Sequence, residues 1–135
     1  MDKEFKHLDK TKKVIEIFYE VYNYLGYGFL ESVYKKAIIY ELKKNNFKIE
    51  AEKSIEVFYK GTNVGQFFAD VVVDDLIIVE LKAVKKLKKC HEAQLLNYLN
   101  ATEYEVGLLF NFGPEPEINR KAYDNERKKY KNDSK

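Results

Sequence analysis

The run Phe67-Phe68-Ala69-Asp70-Val71-Val72-Val73, followed after Asp74-Asp75-Leu76 by Ile77-Ile78-Val79-Glu80-Leu81-Lys82, constrains the fold more than any other part of the chain. Val71 to Val73 and Ile77 to Val79 read as two strands covered on both faces. Strands this apolar do not carry charge without compensation, because an unpaired buried carboxylate or ammonium is costly or neutralises itself. A divalent cation held by Asp70 and Glu80, with Lys82 beside it, removes the conflict. The competing reading is a buried ion pair in which Lys82 neutralises both acids, and it leaves two acids on one lysine. Period two puts Glu80 and Lys82 on one face of their strand and Leu81 on the other. An aspartate followed by E-x-K therefore specifies hard oxygen ligands beside a positioned cation, which is the chemistry of phosphodiester cleavage.

The pairing register follows from the same residues. A two-residue loop at Asp74-Asp75 would set Asp70 against Val79 and turn its side chain away from Glu80. A three-residue loop, Asp74 to Leu76, pairs Val73 with Ile77 and Val71 with Val79, and brings Asp70 opposite Glu80. That register collects Ala69, Val71, Val73, Ile77, Val79 and Leu81 on one apolar face, so hydrophobic pattern and ligand geometry ask for the same pairing.

Length and charge bound the rest. With 135 residues, 45% of them hydrophobic and 15% aromatic, the chain suffices for one compact core, and a single domain over 1–135 is expected. No apolar run approaches the roughly 20 residues of a membrane span, and the N-terminus lacks the apolar core of a signal peptide. One cysteine, Cys90, excludes an internal disulfide framework, a thiolate zinc site and a self-contained iron–sulfur cluster, and is read as structural. A cytoplasmic location is the resulting expectation. The net charge of +2 does not demand nucleic acid, but Lys85, Lys86, Lys88 and Lys89 cluster directly after the E-x-K strand, and a flexible basic tail is expected over 124–135. Both could meet phosphates; the competing reading is a solvated loop and a frayed end.

Val14, Ile17, Phe18, Val21 and Leu25 recur at helical spacing, with Asp9 or Thr11 as caps and Gly26 as a stop. A second helix is expected from about Phe29 to Lys44, with Glu31 in its first turn. Strands follow at Lys48 to Ala51, at Ser54 to Tyr59, from the Lys60-Gly61-Thr62-Asn63 turn to Val73, and at Ile77 to Lys82. Cys90 to Asn100 reads as a helix and Val106 to Phe110 as the final strand before Gly113-Pro114.

From the second helix on, the order is α-β-β-β-α-β. With an acid in the first core helix, an aspartate in the second strand and E-x-K in the third, this resembles the PD-(D/E)XK nuclease superfamily. Gly28-Phe29-Leu30-Glu31-Ser32-Val33-Tyr34 is a literal G-x-x-E-x-x-Y; with Val79 to Ala83 and His91 to Leu99 it looks like the small GxxExxY protein family of that superfamily. The likeness spans roughly Val14 to Asn111. It implies a restriction-endonuclease-like α/β core, a mixed sheet flanked by helices, with an extra N-terminal helix.

The resemblance also implies roles. Asp70 and Glu80 match the metal-binding acids, with the backbone carbonyl of Leu81 as a further ligand and Glu31 reaching the metal directly or through water. Lys82 matches the lysine that orients the attacking water and stabilises charge on the phosphorus. Gln94 and Tyr98, at i and i+4, resemble a Q-x-x-x-Y element. Tyr34 reads as core rather than catalytic. Many relatives carry arginine where this chain has Phe68, so a phosphate contact is missing there. His91 and Lys85, Lys86, Lys88 and Lys89 are the remaining candidates for substrate contact. The expected activity is Mg²⁺- or Mn²⁺-dependent hydrolysis of DNA or RNA, and a homodimer would give a duplex-cutting enzyme of this size its two sites. The alternative is a non-catalytic nucleic-acid-binding or protein-interaction module that keeps the fold.

Overall fold

The structure, a computed structural model, describes residues 7–128. Two helices, α1 (Leu8–Leu25) and α2 (Glu31–Lys44), lead into strands β1 (Ile49–Tyr59), β2 (Thr62–Val73) and β3 (Ile77–Lys82). Helix α3 (Lys89–Asn100) crosses over to β4 (Val106–Phe112), followed by β5 (Pro116–Ala122) and a short 3₁₀ turn at Asn125–Arg127. The five strands form one mixed sheet in sequence order, antiparallel except for the parallel β3–β4 pair. A helical crossover is what a parallel pair requires. The expected α/β architecture, a mixed sheet flanked by helices behind an N-terminal helix, is therefore present.

Helices α1 and α2 cover one face of the sheet. Val14, Phe18 and Val21 of α1 and Tyr34, Ile38 and Leu42 of α2 meet Val71, Val79, Leu81, Leu108, Phe110 and Phe112 in a core with Phe18 stacked on Phe110 at 4.5 Å and Tyr34 on Phe112 at 4.2 Å. Helix α3 covers the other face through Leu95 and Leu99, which pack on Ile55, Ala69, Val72, Ile78 and Leu109. Both faces of β3 and β4 are thus sealed, which is why these strands read as unbroken apolar runs.

Several boundaries differ from the sequence reading. Helix α1 begins before both expected caps: His7, at φ 57°, precedes it, and Thr11 donates back to the His7 carbonyl instead of capping. The two short strands expected before Tyr59 are one strand, β1, irregular at Glu52 with φ 53°. Strand β5 has no counterpart in the sequence reading; it opens with Pro116 on the sheet edge, where a missing N–H is harmless, and its polar sequence shows no alternation. Of the basic tail expected over 124–135, residues 124–128 belong to the fold: Asp124 caps the 3₁₀ turn, and buried Lys128 donates to the carbonyls of Thr102 and Tyr104. Residues 129–135 lie outside the described residues.

The β2–β3 register is the one the sequence asks for: Val73 pairs with Ile77 and Val71 with Val79 across the turn Asp74–Leu76. Asp74 and Asp75 take left-handed conformations at φ 54° and 53°, and Asp74 is anchored by the Lys48 amide at 2.8 Å and the Lys10 ammonium at 2.7 Å. One part of that reading is corrected. Ala69 does not share the face of Val71; it packs under α3 with Leu95 and Leu99. The alternation of β2 breaks at Asp70, opposite the irregularity at Glu52 of β1, where Ala51 pairs with Val71 and Lys53 with Ala69.

Candidate active site

The break at Asp70 builds the site. Backbone pairing of β2 with β3 extends no further than Val71–Val79, and side chains carry the connection beyond it. The Leu81 amide donates to Asp70 Oδ2 at 2.9 Å, and the Asp70 amide donates to Glu80 Oε2 at 3.1 Å. The two strands are therefore splayed where the acids sit, and each acid takes a backbone donor that a regular ladder would have used. Glu80 is 7% exposed. Burial, then a hydrogen bond from carboxyl to carboxyl with Asp70 and the charge of Asp70, pushes its pKa up to about 9. At neutral pH Glu80 therefore favours its protonated form.

Glu31 opens α2, and the G-x-x-E-x-x-Y stretch explains how it is aimed. Gly28 has φ 113°, a conformation side chains rarely adopt. The buried Tyr34 hydroxyl donates to the Gly26 carbonyl at 2.6 Å and accepts from the Phe29 amide at 3.2 Å, stapling the turn before the helix. Tyr34 is core, as expected, and also fixes the entry of α2. The Glu31 carboxyl is held above the ordinary range by burial and by the charge of Asp70, against the opposing pull of Lys82 and Lys35. On α3, the Tyr98 hydroxyl is raised by burial and by the charges of Glu80 and Asp70. Asp70, Glu80, Glu31, Lys82 and Tyr98 therefore share one electrostatic neighbourhood. Gln94 is exposed one turn before Tyr98 on the same helix.

The competing reading, in which Lys82 neutralises both acids, does not describe the structure. Among the described residues Lys82 is in ion-pair contact with neither acid; its charge reaches Glu31 and Glu80 at longer range. The cation on Asp70 is Lys35, one turn after Glu31 on α2, with Nζ 3.4 Å from Asp70 Oδ1 and a second contact to Glu52. Nothing in the sequence signals this role, since the i, i+4 relation to Glu31 looks like any helical surface pair. Phe68 adds no charge and is 55% exposed.

The lysine-rich loop after β3 is firmly held. Asn111, fully buried, accepts from the Val84 amide at 2.9 Å and donates to the Val84 carbonyl and to Glu117, which accepts the Leu87 amide at 3.0 Å. Gly113 is required there, because a Cβ would lie 2.4 Å from the Val84 carbonyl. Lys85, Lys86, Lys88 and His91 line one hollow together with Glu115 and Glu117. His91 Nδ1 accepts the Lys88 amide at 3.0 Å, closing the first turn of α3. Lys89 and Cys90 are exposed on that turn, so Cys90 is not buried as a structural cysteine would be.

The donor set fits a hard divalent cation: of two carboxyls in contact, one favours its protonated form where such an ion would supply the missing positive charge. Among the described residues no three acidic, histidine or cysteine side chains converge on one point. Lys35 competes for the same charge. Replacing it with methionine should tighten Mn²⁺ binding about tenfold in calorimetric titration, since unit charges a few ångströms apart interact by several tenths to a few kcal/mol even when screened. Unchanged or weaker binding would show that Lys35 does not oppose the cation.

A family model described as the PD-(D/E)XK nuclease superfamily matches residues 8–121. No curated protein and no solved structure matches the chain significantly. No helix among the described residues is long and apolar enough to cross a membrane.

Proposed function

The chain belongs to the PD-(D/E)XK nuclease superfamily, and from that membership we propose that it is a metal-dependent nuclease whose active site is centred on Asp70 and Glu80. The observation that carries this reading is the buried Glu80 against the half-buried Asp70 at the splayed end of β2 and β3, a costly arrangement that packing does not call for. The G-x-x-E-x-x-Y stretch and its stapled turn favour the GxxExxY branch.

Asp70, Glu80, the Leu81 carbonyl and Glu31 would hold Mg²⁺ or Mn²⁺, the ions that hard oxygen donors favour over zinc. When bound, such an ion supplies Lewis acidity and an activated water for attack on phosphorus. Glu80 would have to ionise to hold the ion, and the Leu81 amide would keep Asp70 oriented. Lys82, uncommitted to either acid, is available for the negative charge that develops on the phosphate. Tyr98 and Gln94 contact the strand being cut, and Lys85, Lys86, Lys88, Lys89 and His91 hold phosphates flanking the scissile bond. A duplex substrate would need two such sites, and so two copies of the chain. A cytoplasmic location is part of this reading.

Purified protein should cleave DNA or RNA with Mg²⁺ or Mn²⁺ and lose that cleavage on chelation and in Lys82→Ala. Cleavage no greater than that of Lys82→Ala, on single- and double-stranded substrates alike, would transfer the reading to a non-catalytic binding module. Changing Lys85, Lys86, Lys88 and Lys89 together to glutamine should weaken binding uniformly across sequences. The slope of log K against log[salt] should flatten by up to ~0.9 for each duplex phosphate that is no longer neutralised. An unchanged slope would show that the substrate approaches from elsewhere.

A further inference from the structure

Between the β1–β2 hairpin and α3 runs a groove of about 500 Å³ whose lining shares Tyr98 with the acid site. Its floor is the Phe67–Tyr98 pair, stacked at 3.7 Å with an angle of 12° between rings. Tyr59 and Val64, 57% and 59% exposed, form its mouth. Asn97 contributes an amide, with both donor and acceptor, to a lining whose other polar groups are the Tyr59 and Tyr98 hydroxyls, and no carboxylate of the described residues lines the groove. The Lys60 ammonium lies 5.3 Å from the Tyr59 ring centroid at the hairpin end. The groove lies near the acids: Tyr98 lines it and feels the charges of Glu80 and Asp70, and Phe67 lies three residues before Asp70 on β2, about 10 Å along the strand.

We propose that this groove receives an unpaired nucleobase, which makes single-stranded nucleic acid the substrate class of the neighbouring acid site. The proposal rests on the nuclease reading above. An aromatic and aliphatic slot matches the two faces of a base, one amide matches its hydrogen-bonding edge, and a lining without carboxylates beside a lysine at the rim suits an anionic chain. A base in a duplex cannot enter, because both faces are stacked and its edge is paired. The volume lies within the range of roughly 300–1,000 Å³ typical of small-ligand sites. One nucleotide in the groove would deliver an adjacent phosphate towards Asp70 and Glu80.

The test uses the whole chain in chelator, so that nothing is cut, with oligonucleotides carrying 2-aminopurine. The single strand should bind at least tenfold more tightly than the same sequence as a duplex, and its fluorescence should be quenched further on binding by stacking. Tyr59→Ala and Val64→Asp, both at exposed positions that leave the core intact, should each cost about tenfold in single-strand affinity and reduce the quenching, with melting temperatures unchanged. Equal affinity for single strand and duplex, or variants that bind and quench like the wild type, would overturn the groove while leaving nuclease activity standing. Absence of both binding and metal-dependent cleavage in the wild type would overturn the nuclease reading itself.

Discussion

Replacing Glu80 with glutamine is expected to lower metal-dependent cleavage by at least ~10²-fold and, at pH 8, to make the protein more stable. Glutamine is nearly isosteric with the protonated glutamate and can keep the hydrogen bonds to Asp70. What it removes is the cost of burying a group whose pKa is pushed up to about 9 by burial and by Asp70. One pKa unit corresponds to about 1.4 kcal/mol between the two protonation states, so a gain of even ~1–2 kcal/mol should raise the melting temperature by roughly 3–8 °C. The gain should vanish near pH 4, where Glu80 is protonated in the folded chain and mostly protonated in the unfolded one. Differential scanning calorimetry at both pH values, beside a cleavage assay, measures the effect. A variant that loses stability at pH 8, or keeps full cleavage, would remove Glu80 from the centre of the site.

The wild-type protein should itself lose stability as pH rises from about 5 to 9, and a divalent cation should reverse the trend. A glutamate ordinarily titrates at 4.5, and in the folded state this one holds its proton to about 9. Between these values the unfolded chain binds fewer protons than the native chain, so the unfolding free energy falls with rising pH; below 4.5 this contribution to the pH dependence disappears, and above about 9 the cost is complete. Cation binding needs the ionised carboxylate and releases the proton, so Mn²⁺ affinity should climb up to ~10-fold per pH unit across the same window. Titration calorimetry in buffers of different ionisation enthalpy would detect the released proton. An affinity independent of pH between 6 and 8 would mean that the cation binds without Glu80.

The same site shows how far local rules reach. The strands, their three-residue turn and the nearness of Asp70 to Glu80 were legible because the apolar pattern favours the three-residue loop over the two-residue one. Helices α1, α2 and α3 were legible from apolar spacing. Strand β5 was not, since a polar edge strand owes its structure to the neighbour it pairs with. Nor was the parity break at Asp70, because Ala69 and Val71 are both small and apolar and either face would accept them.

Lys35 and Asn111 mark the boundary most clearly. Each is a common polar residue in a segment of ordinary composition. Each acquires its role from a partner far along the chain: Asp70, 35 residues after Lys35, and Val84, 27 residues before Asn111. By itself the sequence determined most of the core and that two acids would come together at its edge, since hydrophobicity and periodicity are properties of neighbours in sequence. Only the tertiary structure decided which cation offsets those acids, which amides hold them and how the lysine loop is clamped. Charge pairing and hydrogen bonding act through distances of a few ångströms, and those distances exist only once the chain has folded.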